Sequence, residues 1–405
     1  MEYKGIEYLR HKLEQKRTRV LCRYEYYEMK DHSHEMEVAI PARLRAQYRA
    51  TLGWCAKAVD SLADRLLFKR FSNDIFDLNG IYNQNNPDTL FDSAILGALI
   101  SSCSFGYIAP DEDGWPRIQI IDGGNATGII DPMTGLLTEG YAVLERNKEQ
   151  HPTIEAYLIA GRTEIWRQGV KEPEVYENKA PWPLLVPIIY RPDAVRPFGH
   201  SRISRAAMYW THYAKRVLER SDISAEFYSW PQKYVVGTSA EAEALNSWKA
   251  TISSMLEFTK DEDGDKPTLG QFTQQSMSPY TEQLRTAASG FAGETGLTLD
   301  DLGFPSDNPS SAEAIKAAHE TLRATARKAQ RTFGSGFINL GYLAACVRDN
   351  YAYERRQLYM TKALWAPVFE PGASTLSVVG DGLFKLNQVA PGYVTEEWLD
   401  ELTGR

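Results

Sequence analysis

The residues of this sequence best equipped for chemistry are few, and their spacing does not favour it. His32 and His34 stand beside Asp31 and Glu35, the densest group of side chains able to ligate a metal. Positions i and i+2 of a helix do not share a face, so the group reads as solvated surface. Asp111-Glu112-Asp113-Gly114 and Asp261-Glu262-Asp263-Gly264-Asp265 offer carboxylates for calcium. Neither has the alternating oxygen ligands and distal glutamate of an EF-hand loop, and a hairpin turn and an exposed loop are the expected meanings. Asp193, His200 and Ser201 carry the side-chain types of nucleophilic hydrolysis. Their closeness is explained more simply by a helix start with Ser201 as N-cap. No G-x-S-x-G, H-E-x-x-H, P-loop or G-x-G-x-x-G occurs, so nucleophile elbow, zincin, Walker ATPase and dinucleotide site all lack their sequence mechanics. The carboxylates of Asp300-Asp301 have nothing nearby that would set one acid apart from the other. The expectation is a protein that is not an enzyme, with no catalytic residue, no metal and no cofactor.

The elements that would position any function are those of a folded chain. With 405 residues, 43% hydrophobic and 24% charged, the sequence has room for two or three domains of roughly 100–200 residues and is neither disordered nor a disulfide scaffold. A net charge of -8 argues against a surface that clamps nucleic acid throughout, because phosphate binding needs a dense cationic footprint. Cys22, Cys55, Cys103 and Cys346 are scattered, with no C-x-x-C pair, and read as buried residues in a reducing compartment. The N-terminus lacks an apolar signal region and no stretch approaches the ~20 apolar residues of a membrane span, so a cytoplasmic setting is expected.

The expected fold class is α+β and mainly helical. Helical spacing runs from Ile6 to about Tyr27, and from Pro41 to Phe71 through Leu44, Tyr48, Leu52, Cys55, Val59, Leu62 and Leu66. After a turn-rich stretch, Asn79 to Asp88, a third helix is expected from Thr89 to about Ser102. From Phe105 to Tyr190, short β-branched and aromatic runs cut by turn signals predict a small mixed or antiparallel sheet. Its strands are expected at 118–121, 141–144, 156–159 and 163–166, with 184–190 closing the unit. Helix returns from Ser201 to about Phe227, from about Ala240 to Glu257, from Pro279 to Gly296, and from about Ser310 past Leu343, the last bent at Gly334-Ser335-Gly336. A strand is expected from Trp365 to Glu370, and two short helices after Gly380.

Positive charge gathers locally. Between Arg191 and Arg220, Arg191, Arg196, Arg202, Arg205, Lys215, Arg216 and Arg220 face only Asp193 and Glu219. On the later long helix Lys316, Arg323, Arg327 and Arg331 share one face while Ile315, Leu322, Ala329, Phe333 and Leu340 line another. A solvated outer face explains such a stripe as well as an interaction surface does.

The order of these pieces resembles the portal proteins of tailed double-stranded DNA phages, in particular the siphophage branch. Tyr24-Glu25-Tyr26-Tyr27, and Trp54-Cys55-Ala56-Lys57-Ala58-Val59-Asp60 followed by Arg65-Leu66, are similar to that family's Y-Y motif and its N-x-x-x-x-V-D helix, with cysteine or tryptophan near the usual asparagine. Arg191-Pro192 followed by Pro197-Phe198-Gly199-His200-Ser201-Arg202-Ile203 resembles the family's entry into a long helix. The strongest match runs from Ala287 to Ile315, with Thr295-Gly296-Leu297, Leu302-Gly303 and Asn308-Pro309-Ser310-Ser311-Ala312-Glu313-Ala314-Ile315. Trp365, Asp381 and Lys385-Leu386 also fit.

The resemblance implies a ring, typically dodecameric, at one capsid vertex, through which DNA is packaged and later ejected. It implies an N-terminal wing over 1–200, stem helices over 201–227 and 278–298, and a clip over 228–277. A tunnel loop over 299–311, a long kinked helix and returning wing strand over 312–371, and a short helical crown over 372–405 complete the chain. Asn308, Pro309, Ser310 and Ser311 would then form the DNA constriction, and Arg202, Arg205, Lys215, Arg216, Arg323 and Arg327 are candidates for rings of positive charge along the channel. Asp300, Asp301 and Asp307 would make the loop acidic. Implied partners are other copies of the chain, double-stranded DNA, the large terminase, a head-to-tail adaptor, a scaffold and the major capsid protein, with no membrane. The implied location is the virion's portal vertex, and the host cytoplasm during assembly. The alternatives are a cytoplasmic helical adaptor or scaffold that does not contact DNA, and a hydrolase working through Ser201 or His200.

Overall fold

The first helix, α1 (Ile6–Tyr27), carries Leu9, Leu13, Val20 and Tyr26 on its buried side. Leu9 and Leu13 pack with Tyr141, Val143 and Tyr157 in one apolar cluster, and burial of such side chains is what holds an amphipathic helix of otherwise polar composition. The computed structural model describes residues 3–31, 48–229, 233–236, 268–271, 276–305, 315, 317–369, 373–392 and 395. The start of α1 is fixed from outside. The backbone N–H groups of Lys4 and Gly5 donate to the two carboxylate oxygens of Glu139 at 2.8 and 2.9 Å, and Tyr157 Oη donates to the same side chain at 2.9 Å. A buried carboxylate at a helix N-terminus satisfies orphan donors and meets the positive end of the helix dipole.

The helical pattern read as continuing to Phe71 ends earlier. Helix α2 (Trp54–Ala63) stops, and the chain enters strand β1 (Phe68–Ser72), antiparallel to a strand at Lys362–Trp365. The ring of Phe68 lies 4.1 Å from that of Phe91 and 5.5 Å from that of Trp365. Long-range aromatic packing has overridden the helical spacing of Leu62 and Leu66. The turn-rich stretch that follows contains a short helix, α3 (Leu78–Asn83), whose first amides donate to Asp74. Helix α4 (Pro87–Ser101) is apolar on most sides and buried accordingly.

The β-rich region forms two antiparallel sheets. Strands β2 (Cys103–Pro110), β3 (Pro116–Asp122), β4 (Ala126–Ile130), β5 (Leu137–Arg146), β6 (Pro152–Ile159), β7 (Arg162–Arg167), β8 (Glu174–Glu177) and β9 (Leu185–Ile189) follow in sequence. One sheet has the order β3-β2-β9 and the other is a meander, β4-β5-β6-β7-β8. Asp111, considered above as a calcium ligand, closes the β2–β3 hairpin: its carboxylate accepts from the amides of Asp113 and Trp115 and pairs with Arg117. The loop at Asp261–Asp265 and the residues His32, His34 and Glu35 lie outside the described residues.

Helix α5 (Arg205–Ser229), strands β10 (Lys233–Val236) and β11 (Thr268–Gln271), and helix α6 (Ser278–Thr295) come next, then α7 (Glu320–Arg348), β12 (Lys362–Trp365) and α8 (Ala373–Val389). Helix α7 is unbroken through Gly334 and Gly336. These glycines let it approach the strands closely: a Cβ at Gly334 would fall 2.8 Å from that of Ala363, and one at Gly336 would fall 3.4 Å from Cα of Ile188. Strand β12 ends at Trp365, where the expected strand was to begin, so the strand lies at Lys362–Trp365.

By contact density the chain divides into two units, residues 1–33, 53–211 and 290–405, and residues 34–52 and 212–289. The first has the larger core, in which Phe68, Phe71, Tyr82, Phe91, Phe337 and Trp365 meet ring to ring. In the second, β10 and β11 pair antiparallel, Ser224 and Tyr280 hydroxyls meet at 2.6 Å, and the amide of Ala50 donates to buried Glu219. Among the described residues no helix is long and apolar enough to cross a membrane.

Candidate functional site

The segment from Tyr190 to α5 shows why the sequence is so particular there. Gly199 has φ +74°, and a Cβ would lie 2.1 Å from the carbonyl oxygen of Tyr190, so only glycine fits this turn. Ser201 is buried. Its hydroxyl donates to the carbonyl of Ile100 at 2.5 Å and accepts from the amide of Ile203. The N-cap of α5 is therefore not Ser201, as expected, but Ser204, whose hydroxyl accepts from the amide of Ala207 at 3.1 Å. A nucleophile turned into the α4 carbonyls does not form a triad with His200, whose Nε2 instead lies 2.6 Å from Asp193 Oδ2.

Arg202 is 7% exposed. Its backbone amide donates to Leu99, and its guanidinium donates to the carbonyls of Ala58, at 3.2 Å, and Thr295, the last residue of α6. Burial draws its pKa below the ordinary value, and the two carbonyls satisfy the buried donors. The side chain ties α2 to the end of α6 while the backbone amide is anchored on α4, and the guanidinium is withdrawn from the surface of the chain. Lys215 is likewise 7% exposed, one turn from buried Glu219. Arg216 is half-buried, its guanidinium 5.7 Å from the centre of the Tyr213 ring. Arg205, Arg323 and Arg327 are exposed, Arg323 pairing with Glu320 at 3.4 Å. Asn308, Pro309, Ser310, Ser311 and Asp307 lie outside the described residues. Asp301 accepts from the amide and hydroxyl of Thr298 beside the turn Asp300–Leu302.

What the fold brings together is a concave site of about 1300 Å³ in the first unit. Arg19 and Arg23 reach it from α1, Arg191 and Arg196 from the loop after β9, Arg205 from the start of α5, and Lys328 and Arg331 from α7; the acids on its wall are Asp193 and Glu294. Sequence reasoning had marked Arg191, Arg196, Arg205 and Arg331, as two separate clusters. It passed over Arg19 and Arg23, whose i, i+4 spacing on α1 was the available signal, and Lys328. Arg23 is drawn below its ordinary pKa by burial and by the neighbouring charges of Arg19 and Arg196. Such an arrangement can hold an anion.

Asp193 organises the rim. Its Oδ1 accepts from the amides of Val195 and Arg196 at 2.8 and 2.6 Å, and the hydrogen bond with His200 is the main cause holding its carboxyl below the usual 3.8. A depressed carboxylate pKa contributes stability that is complete above the unfolded value and is lost as pH falls through the lower folded value. The protection of the Val195 and Arg196 amides, their exchange relative to an unstructured peptide at the same pH, is therefore expected to be complete at pH 5 and to fall as the pH drops below 3.8 and through the lower folded value. In Asp193→Asn the same two amides should exchange faster already at pH 5.

No family model matches the chain. Over 395 residues it is 25% identical to the portal protein of Mycobacterium phage L5, and over 397 residues 24% identical to that of Mycobacterium phage D29. Each alignment takes in 92% of this chain and 79% of the relative. Among solved structures it is similar to a chain from the virion of a native gene transfer agent particle, with 13% identity, a TM-score of 0.44, and 95% of this chain and 99% of that one covered. A chain from the neck of the native particle gives 15% identity and a TM-score of 0.45, covering 90% and 92%. The resemblance to phage portal proteins holds across 92% of this chain and extends well beyond the motifs that first suggested it.

Proposed function

We propose that this chain is a portal subunit, assembling into a ring at one capsid vertex as the passage for double-stranded DNA in packaging and ejection. The observation that carries this reading is the similarity to two phage portal proteins along nearly the whole chain. The ring is dodecameric, stands in the virion after assembly in the host cytoplasm, and docks the large terminase and the head-to-tail adaptor, with scaffold and major capsid protein around it. Helices α5 and α6 supply the stem, the β10–β11 ribbon belongs to the clip, residues 299–311 form the tunnel loop, and α8 lies in the crown. The packaging motor is a separate chain and this one performs no catalysis. Arg323 and Arg327, exposed on α7, are retained as channel cations, because one arginine per subunit becomes a ring of charge after symmetric assembly. Arg202 and Lys215, buried within the chain, are not.

Negative-stain microscopy with mass photometry of the purified full chain, over a range of concentrations, tests the proposal. Closed rings of about a dozen subunits with a central bore are expected from cyclic symmetry. A discrete dimer that never closes into rings would instead favour the adaptor reading.

A further inference from the structure

The cations of the concave site are short of counter-charge. Arg19, Arg23, Arg196, Arg205, Lys328 and Arg331 converge there, and among the described residues none has a carboxylate within 4.0 Å. The two acids on the wall are engaged already, Asp193 by His200 and two amides, Glu294 by the Ser204 hydroxyl at 2.6 Å. Charges crowded in this way repel one another in the separate chain, and an incoming anion relieves the repulsion.

The kind of anion follows from what a channel requires. Every phosphate that a cationic surface neutralises adds salt-dependent affinity. A cluster this dense, repeated around a ring, would brake a duplex that has to slide. A resident anion suits it better. In a cyclic ring of identical chains each copy offers one surface to the neighbour on one side and a different surface to the other. The chain is acidic overall, at -8, and carries exposed carboxylates that could enter such a site: Asp64, after α2, and Asp88 and Asp92, on α4, are exposed. The carboxyl of Asp92, its oxygens partly screened from water by the surrounding chain, is pushed up by that desolvation and by the nearby charges of Asp88 and Asp64.

Resting on the portal-ring reading, we infer that the concave site is the acceptor half of the interface between copies and takes acidic side chains from the next copy. The test mixes ordinary and ¹⁵N-labelled full chain, joins touching ammonium and carboxylate groups with a water-soluble carbodiimide, and identifies the linked peptides by mass spectrometry. Lys328 is expected to be joined to an aspartate or glutamate of the other isotopic form. The variant Arg196→Glu/Lys328→Glu/Arg331→Glu alters exposed positions, and should keep its circular dichroism while its assembled fraction at equal concentration falls by about tenfold or more.

Absence of any link from Lys328 between copies overturns the inference, and so does a folded triple variant that assembles like the parent. A variant that assembles normally but loses salt-sensitive binding to a short DNA duplex would show the site to be a DNA surface, and would overturn it too. Links through Lys328 within open oligomers would sink the ring reading and leave the site standing. Rings without such links would do the reverse.

Discussion

Replacing Phe337 by alanine is expected to cost the first unit about 3–5 kcal/mol, the range for emptying a phenylalanine-sized site in a core that collapses poorly. The side chain is fully buried, and its ring meets those of Phe91 at 4.6 Å, Phe68 at 6.0 Å and Trp365 at 6.2 Å. These neighbours come from α4, β1 and β12, so no single element can move in to fill the space. Tyr82 also donates to the Phe337 carbonyl at 2.7 Å, which fixes the backbone that would otherwise relax. Hydrogen exchange of the α7 amides should quicken by roughly a hundredfold or more, whereas Phe337→Leu, which keeps most of the volume, should cost less than about 1.5 kcal/mol. Equal exchange in parent and alanine variant would show that the ring cluster does not hold α7.

Arg202→Ala is the second large effect, expected at roughly 3–6 kcal/mol from two hydrogen bonds between a charged donor and carbonyls, each worth about 1.5–3. Arg202→Lys should recover only part of it, since a single ammonium cannot span the acceptors on α2 and α6 as the planar fork does. Chemical denaturation of the full chain, followed by tryptophan fluorescence, reports the loss. The outcome separates two roles for one residue. A channel cation could be replaced with little change in stability, while a residue that ties Ala58 and Thr295 together could not.

Much of the sheet region was legible because strands announce themselves locally. Residues 118–121, 141–144, 156–159 and 163–166 fall inside β3, β5, β6 and β7, where alternation and flanking turn residues agree with the final pairing. Phe68–Ser72 was not legible, because Leu62 and Leu66 extend a helical rhythm into it and its partner strand lies almost 300 residues away. The short α3 hid in a stretch rich in asparagine and aspartate, where caps look like turns. The segment from Pro197 to Ile203 could be recognised as a motif, but its parts acquired their meanings only from contacts with α2, α4 and α6. The basic site was half visible. Arg196 and Arg205 share a local run, yet no local spacing relates them to Arg19 and Arg23 on α1 or to Lys328 on α7.

Helix α7 spans 29 residues, or about 44 Å at the α-helical rise. Its second half, from Phe333 to Cys346, is buried on most sides, while the first half buries only Leu322, Ala326 and Ala329. In mechanical language it is a beam, clamped at one end and supported along one edge at the other. The clamp has almost no play, since Gly334 leaves no room for a methyl group against Ala363. A sideways load on the outer face of the first half is therefore shared between the edge at Leu322, Ala326 and Ala329 and, as torque, the β9 and β12 strands that grip the helix at Gly334 and Gly336.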